Sequence, residues 1–392
     1  MKTPSVHTAT DRAALGAVCA IAVYFGWFVL ELRRTDQLLP AWRYGAHATL
    51  FAMWAVALTV MAFRRRTRRG MLTGVMLSAA SGLLAFAVTD ALIAGFRFDT
   101  AGPVWNLNLT HSRWVQTFVR TNEGGFWERS LAPYRGERSS ERFVIAAVGD
   151  SFTFGQGVLG AEYRFTDRLQ DLLQAKFGRR VEVLNFGLGG GDTSSETGWV
   201  RDDVASIHPD LVVVFYLSND IEPAAVFTAP ALTNLPTRWL IASPTFNYLY
   251  WYLFGPLAYQ AAGTAYFKNL LLAYADDRQM DAHLRDIEAL IATIHKIGAR
   301  AGFVILPFPH MWSAVDENVQ QDIYGRILMT AERAGAVTLN LAALEKEFPP
   351  AQFQVNHIDG HPNERVHARI AAEVYNWLLD RRALVPLPVP ER

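Results

Sequence analysis

Four short stretches carry the residue types that acyl-group chemistry needs. In "FVIAAVGDSFTFGQGV" (Phe143–Val158), Ser151 follows Gly149-Asp150 where an apolar run stops. A serine hydroxyl is a poor nucleophile without a base beside it, and a tight strand-to-helix turn would present its oxygen to one. A plain turn or helix-cap serine fits the same letters. "NFGLGGGDTS" (Asn185–Ser194) holds Gly187, Gly189, Gly190 and Gly191, which let backbone N–H groups approach a ligand closely. Oxyanion donation and phosphate cradling both suit such a loop, but no Gly-Lys-Ser/Thr follows it. "YLSND" (Tyr216–Asp220) offers the Asn219 side-chain amide, a donor worth about 3–4 kcal/mol to a developing oxyanion, or else an ordinary turn. In "HIDGHPNERVH" (His357–His367), Asp359 can orient the imidazole of His361, which would take the Ser151 proton. Two other readings stay open there. His357, Asp359, His361 and His367 form a potential metal set, and Asp359 is a potential helix cap.

These stretches share a position in the pattern of elements. "RFVIAAV", "VEVLNFG", "PDLVVVFYL", "AGFVILPF" and "AVTLNL" read as buried strands, with apolar residues at helical spacing between them. Helices are expected in "YRFTDRLQDLLQAKF", over Ser194–Ile207, in "MDAHLRDIEALIATIHKIGA", around Asp322–Ala334 and from Asn363 onward. The alternation predicts a three-layer α/β/α fold on a parallel sheet, in which ligands bind beyond the carboxyl ends of the strands. Three of the four stretches follow strands, and the fourth precedes the last helix.

Composition sets the surroundings. With 37 Lys+Arg against 37 Asp+Glu the chain is neutral, which argues against nucleic acid as a partner. The single cysteine, Cys19, excludes an intrachain disulfide and a cysteine metal cluster. Ala13–Leu32, Ala46–Phe63 and Met71–Phe96 are apolar runs near the roughly 20 residues that span a bilayer, so three transmembrane helices are expected within residues 1–96. "FRRRTRRG" (Phe63–Gly70) carries five arginines against three in the first connection, which keeps it cytoplasmic and places everything after Phe96 outside. Glu31 and Asp90 fall near the outer helix ends, where snorkelling to the interface is expected. Residues 97–140 read as a connector packing on the domain edge, and 141–392 as the α/β domain with an aromatic-rich insertion at about 222–278. Its core, Phe246–Phe267, is about one span long, yet a single crossing would put Ser151 and His361 on opposite faces of the bilayer. Gly255-Pro256 would also break a helix near its middle. A helical subdomain, either a lid or a membrane-lying surface, is expected instead.

Taken together, "GDSFTFGQGV", "NFGLGGGDTS", "LSND" and "DGHPN" resemble the blocks of the SGNH (GDSL-like) hydrolase superfamily over roughly Arg142–Leu379. The resemblance implies an SGNH/flavodoxin-like fold, no cofactor and no metal. It implies Ser151 as nucleophile and backbone oxyanion donor, Asn219 as side-chain donor, His361 as base and Asp359 as its partner. Gly190 is the glycine donor counted from Asn185, and Gly191 counted from Gly-Asp-Thr. Two departures stand out: Leu217 replaces the usual glycine, narrowing the space beside the acyl group, and Asp-x-His replaces Asp-x-x-His. The shorter spacing is similar to the alginate-acetyltransferase-like members, which act on exported polysaccharides. The expected protein is a membrane-tethered esterase or O-acyltransferase in the inner or plasma membrane, with its domain outside the cytoplasm. It would act on a small O-acyl group of an envelope glycan, in company with an envelope polysaccharide-modification partner, or on a lipid ester. A non-catalytic, glycan-binding envelope protein of the same fold is the rival from another class.

Overall fold

A computed structural model of the chain describes residues 109–136, 142–221, 255–356 and 359–380, with 49–50, 53, 56–57, 60, 80–90, 92, 245 and 247. The apolar runs Ala13–Leu32, Ala46–Phe63 and Met71–Phe96 lie wholly or largely outside these residues. Among the described residues no helix is long and apolar enough to cross a membrane. The chain divides into two units, one of residues 1–113 and 231–257, the other of 114–230 and 258–392. In the first unit Asp90 is not the exposed interfacial side chain expected from its position. It is buried, and its Oδ1 accepts the Thr245 N–H at 2.9 Å.

The second unit is built on a five-stranded sheet in the order β2-β1-β3-β4-β5. The strands are β1 (Phe143–Gly149), β2 (Val181–Gly187), β3 (Leu211–Tyr216), β4 (Arg300–Ile305) and β5 (Val337–Asn340), and every pairing is parallel. All of β1 and β3 is buried, as near-continuous apolar strands covered on both faces should be. Around the sheet run α1 (Leu109–Phe118), the short α2 (Ser151–Phe154), α3 (Phe165–Phe177), α4 (Thr193–Asp202), α5 (Gly255–Ala275), α6 (Asp277–Lys296), α7 (Glu317–Arg333) and α8 (Glu364–Asp380). α3 packs on α8, while α4 and α7 pack on α6, which gives the two helical layers. The strand order reverses direction between β1 and β3, the place where such sheets bind ligands.

Three local features bear on the sequence reading. α5 runs from Gly255-Pro256, in keeping with proline's tolerance in a first turn, and the preceding residues 251–254 lie outside those described. The expected helix Ser194–Ile207 is α4 followed by a short tighter turn, Val204–Ile207. Of the connector, residues 114–136 pack on the second unit. Trp114 donates to the Val158 carbonyl, Trp127 lies under the buried Arg164 guanidinium, and Phe126 meets Phe186 edge to face.

Candidate active site

The turn at Gly149-Asp150-Ser151 is set by two glycines and one carboxylate. A Cβ on Gly149 would meet Thr153 Oγ1 at 2.2 Å, and one on Gly187, its register partner on β2, would meet the Phe154 nitrogen at 2.1 Å. Only glycine at both strand ends lets α2 fold back this closely. Asp150 then caps α2, its Oδ1 accepting the Phe152 N–H at 2.9 Å. Ser151 is thus the first residue of the helix, nearly buried, and its backbone N–H has no acceptor among the described residues.

The other side of the site comes from a small hairpin, β6 (Gln354–Asn356) with β7 (Asp359–Pro362). In a strand, residues i and i+2 face the same way, so Asp-x-His lays carboxylate and imidazole side by side. Asp359 Oδ1 lies 2.5 Å from His361 Nδ1 and also accepts the His361 backbone N–H at 3.1 Å. His361 Nε2 lies 2.8 Å from Ser151 Oγ. Phe152 packs against the imidazole, and Phe308 and Phe353 pack against Phe152. The three side chains form one hydrogen-bonded chain across 210 residues of sequence. Burial by itself would lower the pKa of the imidazole. The charge and hydrogen bond of Asp359, helped by Asp150, outweigh it and raise His361 above its ordinary value. An imidazole so held can draw the proton from a hydroxyl as the oxygen attacks, and the carboxylate steadies the cation that results.

Two bland readings of this stretch do not survive. Asn363, and not Asp359, caps α8, its Oδ1 accepting the Arg365 and Val366 N–H groups. His367 turns away from the site: it is fully buried in α8, accepts the Phe165 N–H at Nδ1 and stacks on the Phe165 ring. Burial, reinforced by Arg164 and Arg168, lowers its pKa to about 3, so it stays neutral as an internal acceptor. His357 lies outside the described residues, and no metal-binding group of acidic, histidine or cysteine side chains occurs among those described.

The donors lie at the ends of β2 and β3. Asn219 lies beside the Asp150 carboxylate, and its side-chain oxygen is buried without a hydrogen-bond partner among the described residues. In the glycine loop the Gly191 N–H closes a turn onto the Leu188 carbonyl at 3.2 Å. Gly190 sits in the left-handed region at φ +77°, and its N–H has no acceptor among the described residues. Leu217 is buried in the main core, with its N–H held by Asp220 Oδ2 at 2.8 Å.

Sequence inspection did not single out the carboxylates behind Ser151. Glu196 is fully buried and neither of its oxygens has a hydrogen-bond partner among the described residues. Burial first, then the charges of Asp150 and Asp192, hold its carboxyl well above the usual range. Asp220 is raised in the same way, by burial and then by Glu196 and Asp150. The i, i+4 spacing of Asp192 and Glu196, which lays both along one side of α4, was the available signal. A carboxyl with a raised folded-state pKa favours folding most when protonated. Its contribution is full below pH 4.5, the ordinary value, and is lost as pH rises toward the folded value. Glu196→Gln is therefore expected to raise the unfolding midpoint at pH 8 and to leave it unchanged at pH 4. Each kcal/mol gained would appear as roughly 2–4 °C. An equal gain at both pH values, followed by calorimetry, would contradict this.

A search of curated proteins finds no match. Among solved structures, a lipase/acylhydrolase from Enterococcus faecalis is 14% identical with a TM-score of 0.40, over 64% of this chain and 100% of its own. The psychrotrophic esterase EstA from Pseudoalteromonas sp. is 14% identical with a TM-score of 0.38, over 60% and 97%. The acetyl xylan esterase AlAXEase is 15% identical with a TM-score of 0.39, over 60% and 100%. Residues 147–369, from the end of β1 into α8, match the GDSL-like Lipase/Acylhydrolase family. That span is more than half of the 392 residues and contains Ser151, Asn219, Asp359 and His361: the chain belongs to this family and is a serine esterase.

Proposed function

We propose that the protein is a membrane-tethered esterase or O-acyltransferase that works outside the cytoplasm on a small O-acyl group, such as acetyl, of an envelope glycan. The observation that carries the chemistry is the continuous chain from Asp359 through His361 to Ser151 Oγ, at 2.5 and 2.8 Å. Ser151 Oγ attacks the ester carbonyl while its proton passes to His361 Nε2. The imidazolium is held by Asp359, and the new oxyanion takes hydrogen bonds from the Ser151 N–H, the Gly190 N–H and the Asn219 side-chain amide. Gly190 is preferred over Gly191 because the Gly191 N–H is spent on Leu188. The proton on His361 then goes to the departing alkoxide, which leaves an acyl-serine. Water or a sugar hydroxyl, deprotonated by His361, attacks the acyl carbon and restores Ser151.

The tether rests on the three apolar runs and the five arginines of "FRRRTRRG". With so few helices to carry an acyl donor across, transfer would draw on a partner or an external donor. The glycan preference rests on the short Asp-x-His spacing, which β7 turns into a same-face pair. A lipid ester is the second reading, favoured by the aromatic insertion "FNYLYWYLFGPLAYQAAGTAYF" beside a membrane tether. Hydrolysis by the full-length chain in bilayer discs separates the two. Acetylated oligosaccharide is expected to exceed a long-chain lysophospholipid in kcat/KM by on the order of 100-fold. The reverse order would make the lipid ester the substrate.

A further inference from the structure

The residue just before Asn219 is held with unusual thoroughness. Ser218 is fully buried, and its hydroxyl lies 2.8 Å from Tyr324 Oη on α7 and accepts the Trp312 indole N–H at 3.0 Å. Its carbonyl accepts the Tyr274 hydroxyl at 2.7 Å. Three side chains from three separate elements thus meet on one residue. Beyond it the chain closes on itself, with the Asp220 N–H donating to the Leu217 carbonyl at 3.0 Å. Asn219 sits at the tip of this closed loop.

Tyr274 ends α5, the helix with which the insertion returns to the domain. Because its hydroxyl hydrogen goes to Ser218, the Tyr216 hydroxyl 2.5 Å away must donate to Tyr274. The Tyr216 hydrogen is then spent, so His283 Nε2, 2.9 Å from Tyr216 Oη, must carry a hydrogen and donate in turn. One polarity satisfies the whole relay: His283 to Tyr216 to Tyr274 to the Ser218 carbonyl. All four residues are buried, and burial lowers the His283 pKa to about 4, so the ring is neutral with its one hydrogen on Nε2. Such chains polarise each other and stiffen what they hold.

We propose that Tyr274 is a positioning residue for the oxyanion donor Asn219, acting through its hydrogen bond to the Ser218 carbonyl, so that the inserted helix α5 forms part of the support of the oxyanion hole. This rests on the assignment of Asn219 as a donor made above. An oxyanion donor lowers a barrier only if it is already in place when the charge develops, and a displacement of about 1 Å can cost roughly 100-fold. Tyr216 supplies an internal control. Tyr216→Phe removes a buried hydroxyl of the same relay and leaves the Tyr274–Ser218 bond in place.

The test is steady-state hydrolysis of p-nitrophenyl acetate by the full-length protein, with melting temperatures measured in parallel. Tyr274→Phe is expected to lower kcat about 10-fold with KM within about twofold. Tyr216→Phe should cost a similar loss of melting temperature and leave kcat within about threefold. In an Asn219→Ala background Tyr274→Phe should have no further effect on kcat, since the donor that it positions is gone. The same tenfold loss in that background would overturn the proposal in favour of a general packing role. So would a Tyr274→Phe kcat equal to that of the wild type while Asn219→Ala is impaired. An Asn219→Ala enzyme with unchanged kcat would overturn the donor assignment itself, and the proposal with it.

Discussion

Ser151→Ala in the full-length protein is expected to lower kcat for ester hydrolysis by roughly 10⁴–10⁶ while the fold remains intact. No second hydroxyl stands in hydrogen-bonding reach of His361 Nε2 among the described residues, so no neighbour can take over the attack. The stability cost should be small, about 1 kcal/mol, because the lost hydroxyl has one hydrogen to give, to His361 at 2.8 Å rather than to Asp150 at 3.4 Å. His361→Ala should lose about as much activity, and the double variant hardly more, since nucleophile and base act as a unit. Additive losses would mean that the two residues serve separate steps. Rates on p-nitrophenyl acetate, with circular dichroism to check folding, decide the matter.

Removing the third member should be nearly as damaging, in a way that depends on the replacement. Asp359→Ala is expected to lower kcat by about 10⁴. Both the orientation of His361 and the charge opposite its imidazolium vanish with that side chain. Asp359→Asn should be milder, roughly 10²-fold. The Asp359 oxygen that faces Nδ1 also accepts the His361 backbone N–H, so an asparagine oxygen stays where it is and keeps the tautomer. What it lacks is charge. The pH profile shows this directly. His361 must be neutral to accept a proton, and its raised pKa puts the acid limb of kcat/KM above pH 6.5 in the wild type. With the principal upward influence gone, the limb of Asp359→Asn should move to lower pH. An unmoved limb would mean that another group sets it.

How much of this was legible in the sequence depends on distance along the chain. Strand-length apolar runs sit between helical spacings, which is why all five strands of the sheet and the sites of attachment for Ser151 and Asn219 could be read in advance. The Asp-x-His pair was legible as a pair, but its β7 strand was not, because four residues are too few for a period to show. The role of Asn363 as the cap of α8 lost out to Asp359 in the reading, although both residue types cap helices and only geometry decides between them. The relay behind Ser218 was hidden for another reason. Tyr216, Tyr274, His283, Trp312 and Tyr324 come from elements up to about a hundred residues apart, and each alone looks like an ordinary core side chain. The carboxylate cluster of Glu196, Asp150, Asp192 and Asp220 was concealed likewise, since Asp150 and Asp220 reach α4 only through the sheet.

Ser151 is the nucleophile of this reading, and His361 activates it. The most direct test of that assignment is reaction of the folded full-length protein with a fluorophosphonate, followed by mass mapping of the adduct. A single adduct on Ser151 is predicted, absent in Ser151→Ala and formed far more slowly in His361→Ala. Labelling of the wild type no better than that of Ser151→Ala, or an adduct on a different residue, would contradict it.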